Sequence, residues 1–120
     1  QSEIARAYVA ADALVLPSDY GETWGLVVNE GMACGLPALV SDHVGCAPDL
    51  IVAGKTGGVF PFGEVEALAD ALVRFASPDV DLKAMGARAR QHVQAYSAEA
   101  AAQGTVEAAT YVLARKQRAT

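Results

Sequence analysis

Two carboxylates flank a glycine-containing segment, and together they could bind a ligand that carries hydroxyl groups. Glu22 stands in a loop beside Gly21, and Glu30 follows eight residues later, on a helix predicted to begin at Gly25. Carboxylates accept hydrogen bonds from hydroxyls. The free N–H groups and the positive dipole end of a helix N-terminus favour an anion. The spacing therefore favours a phosphate with sugar hydroxyls on both sides over a bare phosphate.

Apolar runs and helical periodicity define the elements that must position these carboxylates. Residues 13–16 form an apolar run that does not alternate and stops at Pro17, which is typical of a parallel strand covered on both faces. Residues 38–41 and 57–60 predict two further strands. Helical spacing and capping residues predict helices over residues 2–12, 25–34, 47–52, 63–76, 81–95 and 97–115, with Ser97 as an N-cap and residues 116–120 frayed.

The order of these elements predicts an α/β fold with a doubly wound parallel sheet. A complete Rossmann sheet has about six strands in the order 3-2-1-4-5-6. About three strands with flanking helices and a helical C-terminus therefore indicate the second half of a Rossmann-like sheet. We expect residues 1–96 to form this partial domain and residues 97–120 to form the C-terminal helix. Ligands bind beyond the carboxyl ends of such strands, which places the loop of Glu22 at the binding edge.

Composition excludes several classes of protein. The 120 residues are 52% apolar and 19% charged, as in a single globular domain that needs no metal or disulfide to fold. Only 9 Lys and Arg residues and a net charge of -5 argue against nucleic-acid binding. No stretch approaches the roughly 18 apolar residues of a membrane span, and the first residues lack a signal-peptide pattern. These observations predict a cytoplasmic protein without a transmembrane segment.

Cysteine and aspartate spacing does not predict a metal site. Cys34 and Cys46 are too few for a disulfide framework, and we expect both to be reduced and mostly packed. Asp79 and Asp81 imitate an Asp-x-Asp metal motif, but Asp81 stands where the next helix needs an N-cap. Its expected role is therefore structural.

Several aromatic and basic residues allow both a structural and a functional interpretation. Trp24 could pack the entry of the helix or face a ligand, and Tyr20 is expected to anchor the loop. His43 follows the second strand and could reach a ligand, although a single loop histidine is more often exposed to solvent. His92 and Lys83 are expected to lie on solvated helix faces.

The glutamate segment and its flanks resemble a known enzyme family. Residues 22–37, ETWGLVVNEGMACGLP, resemble the signature of retaining glycosyltransferases of the GT-B fold, the group 1 family. Residues 11–18, ADALVLPS, and residues 54–58, GKTGG, are also similar to that family. The spacing of the two glutamates alone is a weak signal, but the MACGLP tail makes it specific. The resemblance is close over residues 1–75.

The resemblance implies the donor-binding portion of a glycosyltransferase of hexosyltransferase type. Such an enzyme transfers a sugar from a nucleotide sugar to an acceptor with retention, without a metal or other cofactor. Glu22, the candidate catalytic residue, matches the family position that contacts the hydroxyls of the donor sugar, and Glu30 matches the position that binds the nucleotide ribose. The implied donor-binding residues are Glu22, Thr23, Trp24, Gly25, Leu26 and Glu30, with backbone amides of residues 23–26 meeting the sugar or diphosphate.

The chain also departs from the family pattern. Family members often have Gly-Gly-x-x-Glu where this chain has Gly45-Cys46-Ala47-Pro48-Asp49, which leaves a glutamate contact without a match. The N-terminal acceptor domain, and the first half of the donor domain with its basic pair, have no counterpart here. We therefore expect a C-terminal fragment that is inactive alone and lacks its partner domain, its nucleotide sugar and its unidentified acceptor. Its unpaired strand at residues 13–16 predicts a homodimer.

The full-length enzyme is expected in the cytoplasm, with peripheral contact at the inner face of the membrane as an option.

The alternative function is a non-catalytic nucleotide-binding or protein-interaction module. A parent of roughly 350 to 400 residues would favour the enzyme over the module. A nicotinamide-dependent oxidoreductase is poorly supported, because no Gly-x-Gly-x-x-Gly follows a predicted strand.

Overall fold

The computed structural model describes residues 2–118 and confirms the predicted α/β architecture. Three parallel strands form one sheet in the order β1-β2-β3, with β1 at Leu14–Leu16, β2 at Ala38–Ser41 and β3 at Gly57–Phe60. The register aligns Leu14 with Ala38 and Ala38 with Gly57. The carboxyl ends of all three strands therefore meet at one edge of the sheet.

Helices connect and cover these strands. The helices of the described residues are α1 (Ser2–Ala10), α2 (Leu26–Ala33), α3 (Ala47–Leu50), α4 (Val65–Phe75), α5 (Leu82–Val93), the 3₁₀ turn Gln94–Tyr96 and α6 (Ala98–Arg118). Helix α6 extends to Arg118, and residues 119–120 lie outside the described range, so the fraying of residues 116–120 stays a prediction. Arg115 Nη1 donates to Tyr111 Oη at 3.0 Å, a contact one turn apart that stabilises the last turns of α6.

The central strand β2 organises the core. All four of its residues are buried, and consecutive side chains point to opposite faces of the sheet. Val40 packs in the larger cluster, which α2, α3 and α5 complete, whereas Leu39 packs against α4. The larger cluster includes the buried residues Val28, Met32, Val44, Leu50 and Ala89. Helices cover both faces of the sheet, and its strand ends are held in fixed positions.

Two N-caps predicted from the sequence are confirmed. Asp81 Oδ1 accepts a hydrogen bond from the Ala84 amide at 2.8 Å, and Ser97 Oγ accepts one from the Ala100 amide at 3.1 Å. Among residues 2–118 no three His, Cys, Asp or Glu side chains are grouped so that they could hold a metal ion. Within the same range, no helix combines the length and the apolar character needed to cross a bilayer.

The unpaired edge of β1 predicts that the isolated chain self-associates. β1 has a single strand neighbour in the described part of the chain, and Val15 is 36% exposed. Ile4 and Val9 of the adjoining α1 are more than half exposed. Because an unpaired apolar edge favours pairing between chains, light scattering of this chain at micromolar concentration should show a dimer. A monomer with a rapidly exchanging Val15 amide would contradict this prediction.

Candidate functional site

Three loops converge where the strands end. They follow β1 at residues 17–25, β2 at residues 42–46 and β3 at residues 61–64. The buried Ser41 hydroxyl donates to the Ser18 carbonyl, which ties the first loop to the second strand. Asp42 Oδ1 accepts from the Phe62 amide at 2.8 Å, which ties the second loop to the third. The edge of the sheet is therefore a connected surface.

One aromatic ring from each loop joins a continuous stack. The rings of Tyr20 and His43 are stacked at 3.7 Å between centroids, and His43 stacks on Phe62 at 4.7 Å. The prediction of an exposed His43 is wrong, because its side chain is only 24% exposed between these rings. Its Nδ1 is buried and has no hydrogen-bond partner in residues 2–118. Stacking on the two neighbouring aromatic rings therefore holds the imidazole in place. Tyr20 stacks on His43 but is 75% exposed, so its role as a loop anchor stays a prediction.

The backbone around Glu22 is fixed by a local turn. The Gly21 amide donates to Asp19 Oδ1 at 2.8 Å, and the Glu22 amide donates to the Asp19 carbonyl at 3.1 Å. Tyr20 lies inside this turn and connects it to the stack. Glu22 is half-buried. Its carboxylate is therefore carried by a loop with a defined backbone rather than by a free coil.

Two glycines allow the following turn to approach the loop after β2. The Cys46 amide donates to the Trp24 carbonyl at 2.9 Å, and a Cβ at Gly45 would lie 1.9 Å from the Thr23 carbonyl oxygen. Gly25 has a φ of 96°, a left-handed conformation that glycine adopts without strain, and it directly precedes α2. The amides of residues 25–27 at the start of α2 are therefore held at the edge of the sheet.

The Trp24 side chain packs the entry of the helix, which is the structural one of its two predicted roles. Its Nε1 donates to Asn29 Oδ1 at 2.8 Å, and its ring lies 6.4 Å from the ring of Tyr96. Asn29 Nδ2 in turn donates to the Tyr96 carbonyl at 3.4 Å. The indole thus packs the entry of α2 against the segment that leads into α6.

Glu30 differs from its expected environment. The sequence predicts a partly buried carboxylate among apolar neighbours, but Glu30 is exposed, because the buried face of α2 is formed by Val28, Gly31 and Met32. Its side chain instead reaches α1, where the Tyr8 hydroxyl donates to Glu30 Oε2 at 2.8 Å. Burial raises the pKa of Tyr8, and the hydrogen bond to the Glu30 carboxylate raises it further.

The two cysteines have opposite environments. Cys46 is buried, and burial raises the pKa of its thiol to about 11, which makes it an unreactive packed residue as predicted. Cys34 is exposed, so the expectation that it is packed is wrong. It lies one turn after Glu30, on the accessible side of α2.

Helix α5 contacts helix α3 and the loop that precedes β3. The His92 Nε2 lies 2.8 Å from the Asp49 carbonyl oxygen, so the prediction of a solvated His92 is wrong. Arg88 Nε donates to the Lys55 carbonyl at 3.0 Å. Lys83 is exposed as predicted. The Asp49 side chain is exposed, at the position where the resembling family often has a glutamate.

The charges at the edge are acidic. None of the nine Lys and Arg residues lies in residues 17–25, 42–46 or 61–64, whereas Asp19, Glu22, Asp42 and Glu64 do. These loops therefore offer backbone N–H donors and carboxylate acceptors but no lysine or arginine. A diphosphate held here would need its basic partners from outside these loops.

Such an edge, where a loop runs from a parallel strand into a helix N-terminus, is the binding edge of open α/β sheets that hold nucleotide-type ligands. The family model described as glycosyl transferases group 1 matches residues 1–92. The chain belongs to this family.

Curated relatives place the chain within longer enzymes. It is 37% identical over 118 residues to the D-inositol 3-phosphate glycosyltransferase of Streptomyces griseus, covering 98% of this chain and 25% of the relative. It is 37% identical over 102 residues to the sulfoquinovosyl transferase SQD2 of Arabidopsis thaliana, covering 82% and 20%. The chain thus spans 25% of the length of the first relative and 20% of the second. It matches the C-terminal part of such enzymes.

A solved structure shows the same fold. The sucrose-phosphate synthase of Thermosynechococcus elongatus superposes with a TM-score of 0.76 at 32% identity, covering 92% of this chain and 28% of that chain. This neighbour is a GT-B glycosyltransferase, which confirms the predicted fold class.

Proposed function

We propose that this chain is the donor-binding portion of a longer glycosyltransferase that uses a nucleotide sugar. The observation that carries the proposal is the fixed path of residues 19–27, which runs from the turn of Glu22 into the N-terminus of α2. A helix N-terminus favours the charge of a diphosphate. The neighbouring carboxylates supply acceptors for sugar hydroxyls.

Each part of this segment takes a distinct role in the proposal. The Glu22 carboxylate accepts hydrogen bonds from hydroxyls of the donor sugar and acts as the catalytic residue. Backbone amides of the turn over residues 23–26 contact the sugar or the diphosphate. Glu30 accepts hydrogen bonds from the hydroxyls of the nucleotide ribose. Trp24 contributes through its backbone, since its side chain packs against Asn29 and Tyr96.

The proposed transfer proceeds with retention and without a metal. Charge on the departing diphosphate is stabilised by the start of α2 and by cations that the rest of the enzyme supplies. The acidic strand-end loops contain no lysine or arginine of their own. The isolated chain is accordingly proposed to bind nucleoside diphosphates weakly and to be inactive.

The replacement Glu30→Gln in the full-length enzyme tests the ribose site. Loss of a charge-assisted hydrogen bond should weaken nucleoside diphosphate affinity about 10- to 150-fold, equivalent to about 1.5 to 3 kcal/mol. Calorimetric titration with UDP, GDP and ADP in the presence of EDTA measures this change.

A matched variant controls for the loss of one surface charge. Glu66→Gln changes an exposed glutamate in the first turn of α4 and should leave affinity unchanged. Binding of every nucleotide within twofold of wild type for Glu30→Gln would contradict the ribose role. Binding that disappears with EDTA would contradict metal independence.

A further inference from the structure

Glu30 depends on another helix for the position of its carboxylate. It is exposed, and the hydrogen bond that its carboxylate makes within the described residues comes from the Tyr8 hydroxyl at 2.8 Å. Tyr8 lies on α1, twenty-two positions earlier in the chain, and is itself partly buried. The partly buried tyrosine therefore orients the more exposed glutamate.

An exposed glutamate samples many rotamers, and ordering it on binding costs conformational entropy. A hydrogen bond already present in the free protein removes part of this cost, so it strengthens binding without a ligand contact of its own. Two carboxylate oxygens have about four lone-pair sites. Because the Tyr8 hydroxyl uses one of them on Oε2, the remaining sites can accept from two ligand hydroxyls.

The surroundings of the pair leave the carboxylate accessible. Ile4, Ala5, Tyr8, Glu30 and Cys34 line an open pocket of about 330 Å³ between α1 and α2. The pocket places an apolar wall and an oriented acceptor side by side, an arrangement that suits a ribose ring with its vicinal hydroxyls. A tyrosine hydroxyl is protonated at neutral pH, and the raised pKa of Tyr8 keeps it a donor at higher pH as well.

We propose that Tyr8 is a positioning residue for recognition of the nucleotide ribose: its hydroxyl holds Glu30 in the orientation that accepts from the 2′- and 3′-hydroxyls. This inference rests on the proposed role of Glu30 as the ribose acceptor. Tyr8 acts through Glu30 and does not contact the ligand with its hydroxyl.

The variant Tyr8→Phe in the full-length enzyme removes the hydroxyl and keeps the ring. We expect about 3- to 10-fold weaker binding of whichever of UDP, GDP or ADP the enzyme binds, in line with one hydrogen bond. KM for the matching nucleotide sugar should rise by a similar factor while kcat stays within twofold. Tyr111→Phe is the matched control, because it removes a tyrosine hydroxyl on the exposed α6.

The corresponding 2′,3′-dideoxynucleoside diphosphate separates positioning from a general structural effect. It should bind wild type and Tyr8→Phe equally, since it lacks the hydroxyls that Glu30 would accept from. In a Glu30→Ala background, Tyr8→Phe should cause no further loss. Equal weakening of the ribo- and dideoxynucleotides by Tyr8→Phe would overturn the inference.

The Glu30 variant distinguishes the two levels of the proposal. If Glu30→Gln weakens ribonucleotide binding and Tyr8→Phe does not, the positioning role is overturned while the ribose site stands. If neither variant weakens binding, the ribose site is overturned and the positioning role with it.

Discussion

Replacing Glu22 by glutamine in the full-length enzyme should lower kcat about 10- to 150-fold and leave nucleoside diphosphate affinity within about twofold. The substitution keeps the shape of the side chain but removes the charge that strengthens hydrogen bonds to the donor sugar, an effect of about 1.5 to 3 kcal/mol. The loop itself should persist, because its turn is held by the backbone and by Asp19.

Steady-state kinetics and calorimetry on the same preparations separate the two effects of Glu22→Gln. A loss confined to kcat indicates an interaction that is stronger in the transition state than in the ground state. Glu66→Gln serves again as the control for a surface carboxylate. A kcat within twofold of wild type would remove Glu22 from the catalytic role.

Gly45→Ala should both destabilise the protein and weaken donor binding. A Cβ at this position would lie 1.9 Å from the Thr23 carbonyl oxygen, so the loop after β2 and the turn after Glu22 must separate. Gly45 is not among the glycines with positive φ, so the effect is steric rather than conformational. We expect a loss of about 1 to 3 kcal/mol in the free energy of unfolding.

Gly104→Ala provides the matched control for Gly45→Ala. Gly104 lies in α6, and a Cβ there would have no neighbour within 4 Å. Alanine is the better helix former, so this variant should gain up to about 1 kcal/mol. Thermal unfolding and nucleotide titration of both variants give the comparison. Wild-type stability and affinity for Gly45→Ala would contradict the packed contact between the two loops.

Strands and helix starts were the most predictable features. Residues 38–41 and 57–60 are predicted as strands with the observed bounds, because a proline directly precedes the first segment and directly follows the second. Asp81 and Ser97 were predictable as N-caps because their partners lie three residues away. Local sequence determines features of this kind.

The site contains contacts that the local sequence does not encode. The rings that enclose His43 belong to Tyr20 and Phe62, on loops separated from it by at least nineteen residues. The Tyr8 hydroxyl that reaches Glu30 belongs to a different helix, so the helical pattern of α2 does not predict this hydrogen bond. Such contacts depend on how the loops and helices pack together in the folded chain.

A crystal structure of the full-length enzyme with a bound nucleotide sugar would show directly whether residues 19–30 bind the donor. We expect the diphosphate at the N-terminus of α2, with Glu22 within hydrogen-bond distance of a donor-sugar hydroxyl and Glu30 within that distance of the ribose. A nucleotide sugar bound away from the carboxyl ends of β1 and β2, with neither carboxylate touching it, would rule out the proposed donor site.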